Sequence, residues 1–173
     1  MKKFREQVSK DIKSKNTYFS IIAKIFKSPS KRVVFYIRLC HLFKRKKLNI
    51  LAILLRNRIA SKYGVFISLK TKIGDGLSFP HATGIVLGEK VEIGENVTIY
   101  QQVTIGGQNI GDTKSENYPV IEDNVILYSG CKILGPVKVG RGSIIGANSV
   151  VTKNVEEYSV YAGVPSRKIK DLK

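Results

Sequence analysis

From Val65 onward an apolar residue returns at every sixth position. Ile67, Ile73, Phe79, Ile85, Val91, Val97 and Val103 lie six apart, and all seven are aliphatic or aromatic. After an interruption the spacing resumes at Ile121, Leu127, Ile133, Val139, Ile145 and Val151. Gly74, Gly88, Gly94, Gly106, Gly140 and Gly146 each follow an aliphatic residue directly. A helix repeats every 3.6 residues, and an ordinary β-sandwich alternates every two between hairpin turns of variable spacing; neither gives this pattern. It is an internal hexapeptide repeat, the signature of a parallel β-helix. Each short strand points one branched residue inward, a tight turn follows, and stacked turns bury a continuous apolar column. The interruption, residues 107–117, is polar, carries glycine and has no hexad register, so it is expected to loop out, where a rigid coil can position functional residues. A tolerated insertion without a role is the alternative.

The first 64 residues follow another pattern. They hold 18 Lys and Arg against two acids, Glu6 and Asp11, a net of +16; residues 65–173 hold 12 against 11. Residues 1–15 have no apolar run and read as a solvated start or a first helical turn. Apolar stripes at three- and four-residue steps then run through Phe19, Ile21, Ile22, Ile25 and Phe26, through Val33, Val34, Tyr36, Ile37, Cys40, His41 and Phe43, and through Leu48, Leu51, Leu54, Leu55, Ile59 and Ala60, which predicts two or three amphipathic helices. Charged residues interrupt each stripe well short of the roughly 18 apolar residues of a membrane span, and no clean apolar run precedes a small-residue cleavage site. A chain of 173 residues, 43% apolar, therefore reads as a basic helical segment (1–64), a coil domain (65–173) with a protruding loop, and a tail from 156.

Two cysteines, Cys40 and Cys131, fit a reducing compartment, with cytoplasm the default. Two histidines, His41 and His81, cannot supply a three-histidine metal site, and no metal is expected. His81 falls at the phase where neighbouring hexads place Leu87, Ile93, Ile99 and Ile105 inward. It is either a satisfied structural imidazole in that column or a general base with a near-neutral pKa. Glu89, eight residues on, could approach it on an adjacent turn; taken alone it reads as a solvated turn residue.

The runs HATGIVLGEKVEIGENVTIYQQVTIGG (81–107), YPVIEDNV (118–125), CKILGPVKVGRGSIIGANSVVTKNV (131–155) and AGVPSRKI (162–169) resemble the serine acetyltransferase branch of the hexapeptide acyltransferases. The resemblance covers about 65–173, with a weaker echo at residues 38–41. It implies a left-handed parallel β-helix, a homotrimer, acetyl-CoA as co-substrate, and acetyl transfer to a hydroxyl in a cleft between subunits. By resemblance His81 matches the catalytic base and Glu89 a carboxylate near the acceptor. Gly107, Ser129, Gly130, Ala147, Thr152, Lys153, Arg167 and Lys168 match places where the family lays coenzyme A, where basic side chains suit its phosphates.

Where serine acetyltransferases carry an Asp before the histidine, an orienting Asp on the preceding coil, and an Arg-His pair, this chain has Pro80, Phe66, Asn117 and Tyr118. Loss of those charges predicts a neutral acceptor site. With Gln101, Asn117 and Tyr118 nearby, it would suit a sugar hydroxyl of a capsular or other surface polysaccharide, as in the capsule-cluster members of the branch. The alternatives are serine O-acetylation and a non-catalytic trimer that binds membrane or polyanion. The basic helices could pack on the trimer, steer a polyanion, or rest on anionic lipid at the inner membrane face; no nucleic-acid motif accompanies the charge, so no nucleic-acid partner is expected.

Overall fold

A computed structural model describes residues 2–15, 17–108 and 117–172. Four helices lead into a coil of short strands: α1 (Lys2–Asp11), α2 (Tyr18–Lys27), α3 (Pro29–Arg45) and α4 (Asn49–Tyr63). Ser28 ends α2 and caps α3 by accepting from the Lys31 N–H at 3.4 Å, with Pro29 opening the helix. Gly64, left-handed at φ 62°, closes α4. Among the described residues no helix is long and apolar enough to cross a membrane.

The coil is a three-sided prism. Its first face stacks β1 (Phe66–Ile67), β3 (Val86–Leu87), β6 (Thr104–Gly106), β9 (Lys132–Leu134) and β12 (Val150–Val151). The second stacks β2 (Lys72–Ile73), β4 (Glu92–Ile93), β7 (Val120–Ile121) and β10 (Lys138–Val139). The third stacks β5 (Thr98–Ile99), β8 (Ile126–Leu127), β11 (Ile144–Ile145) and β13 (Ser159–Ala162), all parallel. Residues read as a tail instead add β14 (Arg167–Asp171), antiparallel to β13.

Register locates two departures from strict repetition. Val86 pairs with Thr104 and Ile126 with Ile144, eighteen residues apart, which is three hexads per turn. Thr104 pairs with Lys132, so ten surplus residues lie between successive strands there. Of the expected loop 107–117, residues 109–116 lie outside the described residues. Phe66 pairs with Val86, twenty apart, so the first turn carries two extra residues. They fall after Phe79, around His81.

That insertion corrects the expected inward column. Each hexad holds two apolar positions two residues apart, as in Val91 and Ile93 or Val97 and Ile99, all at most 4% exposed. The strand column runs Ile67, Ile73, Phe79 and then Leu87, Ile93, Ile99, Ile105. Counting by six slides unnoticed from Phe79 onto Ile85, in the neighbouring phase. His81 consequently stands outside the column and is exposed.

The first fifteen residues are also more than a solvated start. α1 buries Val8, and Ile12 just beyond it, against Ile21 of α2. Asp11, its side chain fully buried, accepts from Arg38 Nε at 2.6 Å and Nη2 at 2.9 Å. The same carboxylate accepts from the N–H groups of Gly76 (2.8 Å) and Leu77 (3.0 Å), while Arg38 donates to the carbonyl of Ile73 at 2.9 Å. Val33, Val34, Ile37, Cys40 and Ile59 join the coil interior in one core. Cys40 and Cys131 are free and buried, and burial pushes their thiols up to about 11 and about 12.

Candidate active site

Each turn of the prism has three corners, and the candidate residues other than Arg167 and Lys168, which lie on β14 of the third face, occupy two of them, the borders of the first face. The chain passes from the third face to the first through His81, then Gln101, then Ser129 and Gly130, then Ala147, one turn above another. It passes from the first face to the second through Glu89, Gly107, and Thr152 with Lys153; Asn117 and Tyr118 return the chain to the second face.

At the first border the extra residues push His81 outward, and α3 fixes the resulting turn. Ser30 Oγ donates to the Pro80 carbonyl at 3.2 Å and accepts from the Ala82 N–H at 3.1 Å, bracketing His81 on both sides. Thr83 N–H closes back on the His81 carbonyl at 3.0 Å. The imidazole lies 6.4 Å, centroid to centroid, from the Tyr100 ring, which stacks on Tyr128 at 5.1 Å. Beside them Gln101 Oε1 is buried and, among the described residues, has no hydrogen-bond partner. Sequence reasoning missed Ser30, Tyr100 and Tyr128. The tyrosines have a signal, the 28-residue offset across the interruption; Ser30 has none, because its target is fifty residues away.

Gly130 is a turn residue. It has φ 74°, and a Cβ there would stand 2.1 Å from the Asn148 side-chain Oδ1, so a larger residue would displace that amide; Gln102 and Asn148 close the same corner on the neighbouring turns at φ 61° and 55°. Ser129 is half-buried and Ala147 exposed, which leaves the edge low enough for an extended ligand to lie against it.

The second border does not meet His81 within one chain, so Glu89 does not approach the imidazole on an adjacent turn. Glu89 forms an ion pair with Lys70, whose ammonium holds the carboxyl below the usual range. Tyr118 is 8% exposed, packs into the core, and with Lys70, Lys90 and Glu92 lines a cavity of about 400 Å³. Asn117, Thr152 and Lys153 are exposed. On β14, Arg167 is exposed, whereas Lys168 is engaged by Glu156 and Asp171, both at 2.7 Å, which raise its pKa.

Residues 118–153 match the bacterial transferase hexapeptide (six repeats) family. The chain superimposes on a serine acetyltransferase from Brucella abortus with a TM-score of 0.85 at 31% identity, over 98% of this chain and 70% of that one. It belongs to the hexapeptide-repeat transferases. Soybean serine acetyltransferase complexed with serine gives 0.84 at 33% identity, over 96% and 69% of the two chains. Serine acetyltransferases of Salmonella typhimurium and Bacillus pumilus are 43% and 40% identical over 130 residues, 75% of this chain. Those residues make up 47% and 59% of the two relatives, so the chain spans about half the length of the curated relatives it matches.

These relatives overturn the expectation of a polysaccharide acceptor: acetyltransferases acting on serine, not on capsule, share this chain's coil and its helices. Phe66 is 57% exposed on the outer surface of the first face, and Tyr118 is 8% exposed and fills the core at the second border. Tyr118 is thus taken up by packing, and the loss of charge at these positions does not by itself define a sugar site.

Proposed function

We propose that this chain is an acetyl-CoA-dependent serine O-acetyltransferase working as a homotrimer of left-handed β-helices. What supports the reading is the division of the candidate residues between two borders of one face. One chain offers the base and a small-residue edge; the other border offers a carboxylate and basic side chains. A neighbouring copy setting its second border against the first completes a cleft that neither holds alone.

In that cleft His81 takes the proton of the serine hydroxyl as the oxygen attacks the thioester carbon. The C–O bond forms, the C–S bond breaks, and the proton on the imidazole passes to the departing thiolate. Backbone N–H groups of the coil stabilise the carbonyl oxygen as charge develops. Glu89, held ionised by Lys70, supplies negative charge for the serine ammonium. Acetyl-CoA brings the activated acyl group; Gly107, Ser129 and Ala147 would border its pantetheine arm, and Lys153 and Arg167 its phosphates. Ser30 acts through the main chain, keeping His81 at the mouth of the cleft.

Thiol release from acetyl-CoA by the purified protein tests the proposal. L-serine should stimulate release, and His81→Ala should lower turnover by about 10²–10⁴-fold with coenzyme binding retained. Absence of serine-dependent release refutes the reading; unchanged turnover in His81→Ala refutes the assignment of the base.

A further inference from the structure

α2 carries a surface that acetyl transfer does not use. Phe19, Ile22 and Phe26 share one side of the helix and are 85%, 52% and 75% exposed, with Tyr18 beside them at 61%. The other apolar side, Ile21 and Ile25, packs toward α1 and α3. Among α1, α2 and α3 opens a cavity of about 190 Å³ with a largely apolar surface, to which Arg5 and Tyr18 contribute beside Phe4, Val8, Ile22 and Phe35.

Cations flank this surface on both sides. The Arg5 guanidinium lies 4.9 Å from the centroid of the Tyr18 ring. Lys24 donates to the Lys13 carbonyl, and Lys13 and Lys24 stand close enough to Lys31 to disfavour its charged form further, after burial. Lys15 and Lys27 are exposed. Of the two acids in the first 64 residues, Asp11 is buried in its pair with Arg38.

We propose that α2 docks this protein on an anionic lipid bilayer, with Phe19, Ile22 and Phe26 entering the acyl boundary and Arg5, Lys13 and Lys27 meeting the headgroup phosphates. An exposed apolar stripe edged by Lys and Arg is the pattern of a helix lying in the interface plane. The neighbouring apolar cavity gives a chain end a place to enter. Charge selects the occupant: a second copy would bring two segments of net +16 together, whereas an anionic surface neutralises them.

Flotation of the full chain with phosphatidylcholine vesicles, with and without phosphatidylglycerol, tests this at low and high salt. The protein should float with the anionic vesicles, and high salt should release most of it. Phe19→Ser/Phe26→Ser should lower partitioning at least about tenfold, the loss of two buried aromatic side chains. Lys13→Glu/Lys27→Glu, which keeps the stripe intact, should abolish the preference for anionic lipid. No flotation of the wild type, or undiminished flotation of both variants, overturns the proposal. So does a smaller assembly mass for Phe19→Ser/Phe26→Ser in light scattering, since the face would then join copies of the chain. The vesicle assay needs no acetyl transfer and stands apart from the serine reading.

Discussion

The coil and the helical segment share one core, yet they are fastened by different means. In the coil every turn repeats the same contacts: Leu87, Ile93, Ile99 and Ile105 fill one column, and rungs join through bonds such as Val86 N–H to the Val103 carbonyl at 2.9 Å and Thr104 N–H to the Cys131 carbonyl at 3.1 Å. Stability of such a stack is close to a sum over neighbouring turns, so damage stays local. The helices join the coil's first turn once, through Val33, Val34, Ile37, Cys40 and Ile59 in the shared core and through a few polar points. Asp11 and Arg38 span the loops after β2, Ser30 holds the His81 turn, and Lys44 Nζ donates to the Leu69 carbonyl at 2.6 Å. Repetition distributes load, whereas a docked cap concentrates it on single residues.

The largest expected effect follows from that concentration. Asp11→Ala strands the Arg38 guanidinium in the core and leaves the Gly76 and Leu77 N–H groups without their acceptor. Breaking a buried pair by removing one partner costs about 3–5 kcal/mol. Lys10→Ala, which removes an exposed cation 2.8 Å from Asp75 one residue along the same helix, should leave the urea midpoint nearly unchanged. Equal shifts in the two variants would show that the cap does not concentrate its attachment on the buried pair.

This contrast also explains what could be read in advance. The column from Ile121 to Val151 was legible because three hexads make a turn there without insertion. Before it, the two-residue excess after Phe79 was hidden, since Ile85 and Leu87 are both fit to face inward. His81 was reachable by resemblance to a family motif, but its exposure was not, and neither was Ser30 in α3. Asp11 was passed over because a lone acid among lysines looks solvated; only the fold brings Arg38 and the loop N–H groups to it. Separation of Glu89 and Tyr118 from His81 depends on which corner each turn occupies, and hexad counting carries no corner label.

His41 allows the cap to be probed by pH. Its Nε2 is buried and, among the described residues, has no partner; burial first, then the cations of Arg38, Lys44 and Arg45, bring its pKa down to about 4. Folding therefore keeps the ring neutral. The stabilisation is fully present above the unfolded value near 6.5 and is lost as pH falls toward 4, because the unfolded chain binds the proton first. At 1.36 kcal/mol per unit the loss is about 3 kcal/mol across that window. His41→Asn should remove this part of the acid limb in urea titrations at stepped pH. An unchanged acid limb would mean that the cap does not open with the global transition, sharpening the division between the two regions.

Ser30 carries the smallest expected effect on stability and the most direct test of whether the cap reaches the chemistry. Its two neutral hydrogen bonds are each worth about 1 kcal/mol. Ser30→Ala should therefore lower the unfolding free energy by about 1–2 kcal/mol while loosening the turn that presents His81. A base displaced from its attack geometry lowers turnover before it lowers binding, so kcat with serine should fall about tenfold with the KM for acetyl-CoA unchanged. Ser30→Thr, which keeps the hydroxyl, should restore most of the rate. If kcat is indifferent to Ser30→Ala, the coil alone sets the position of His81 and the helices serve the surface they expose; if it falls and Thr rescues it, the cap is part of the catalytic framework although none of its residues touches serine.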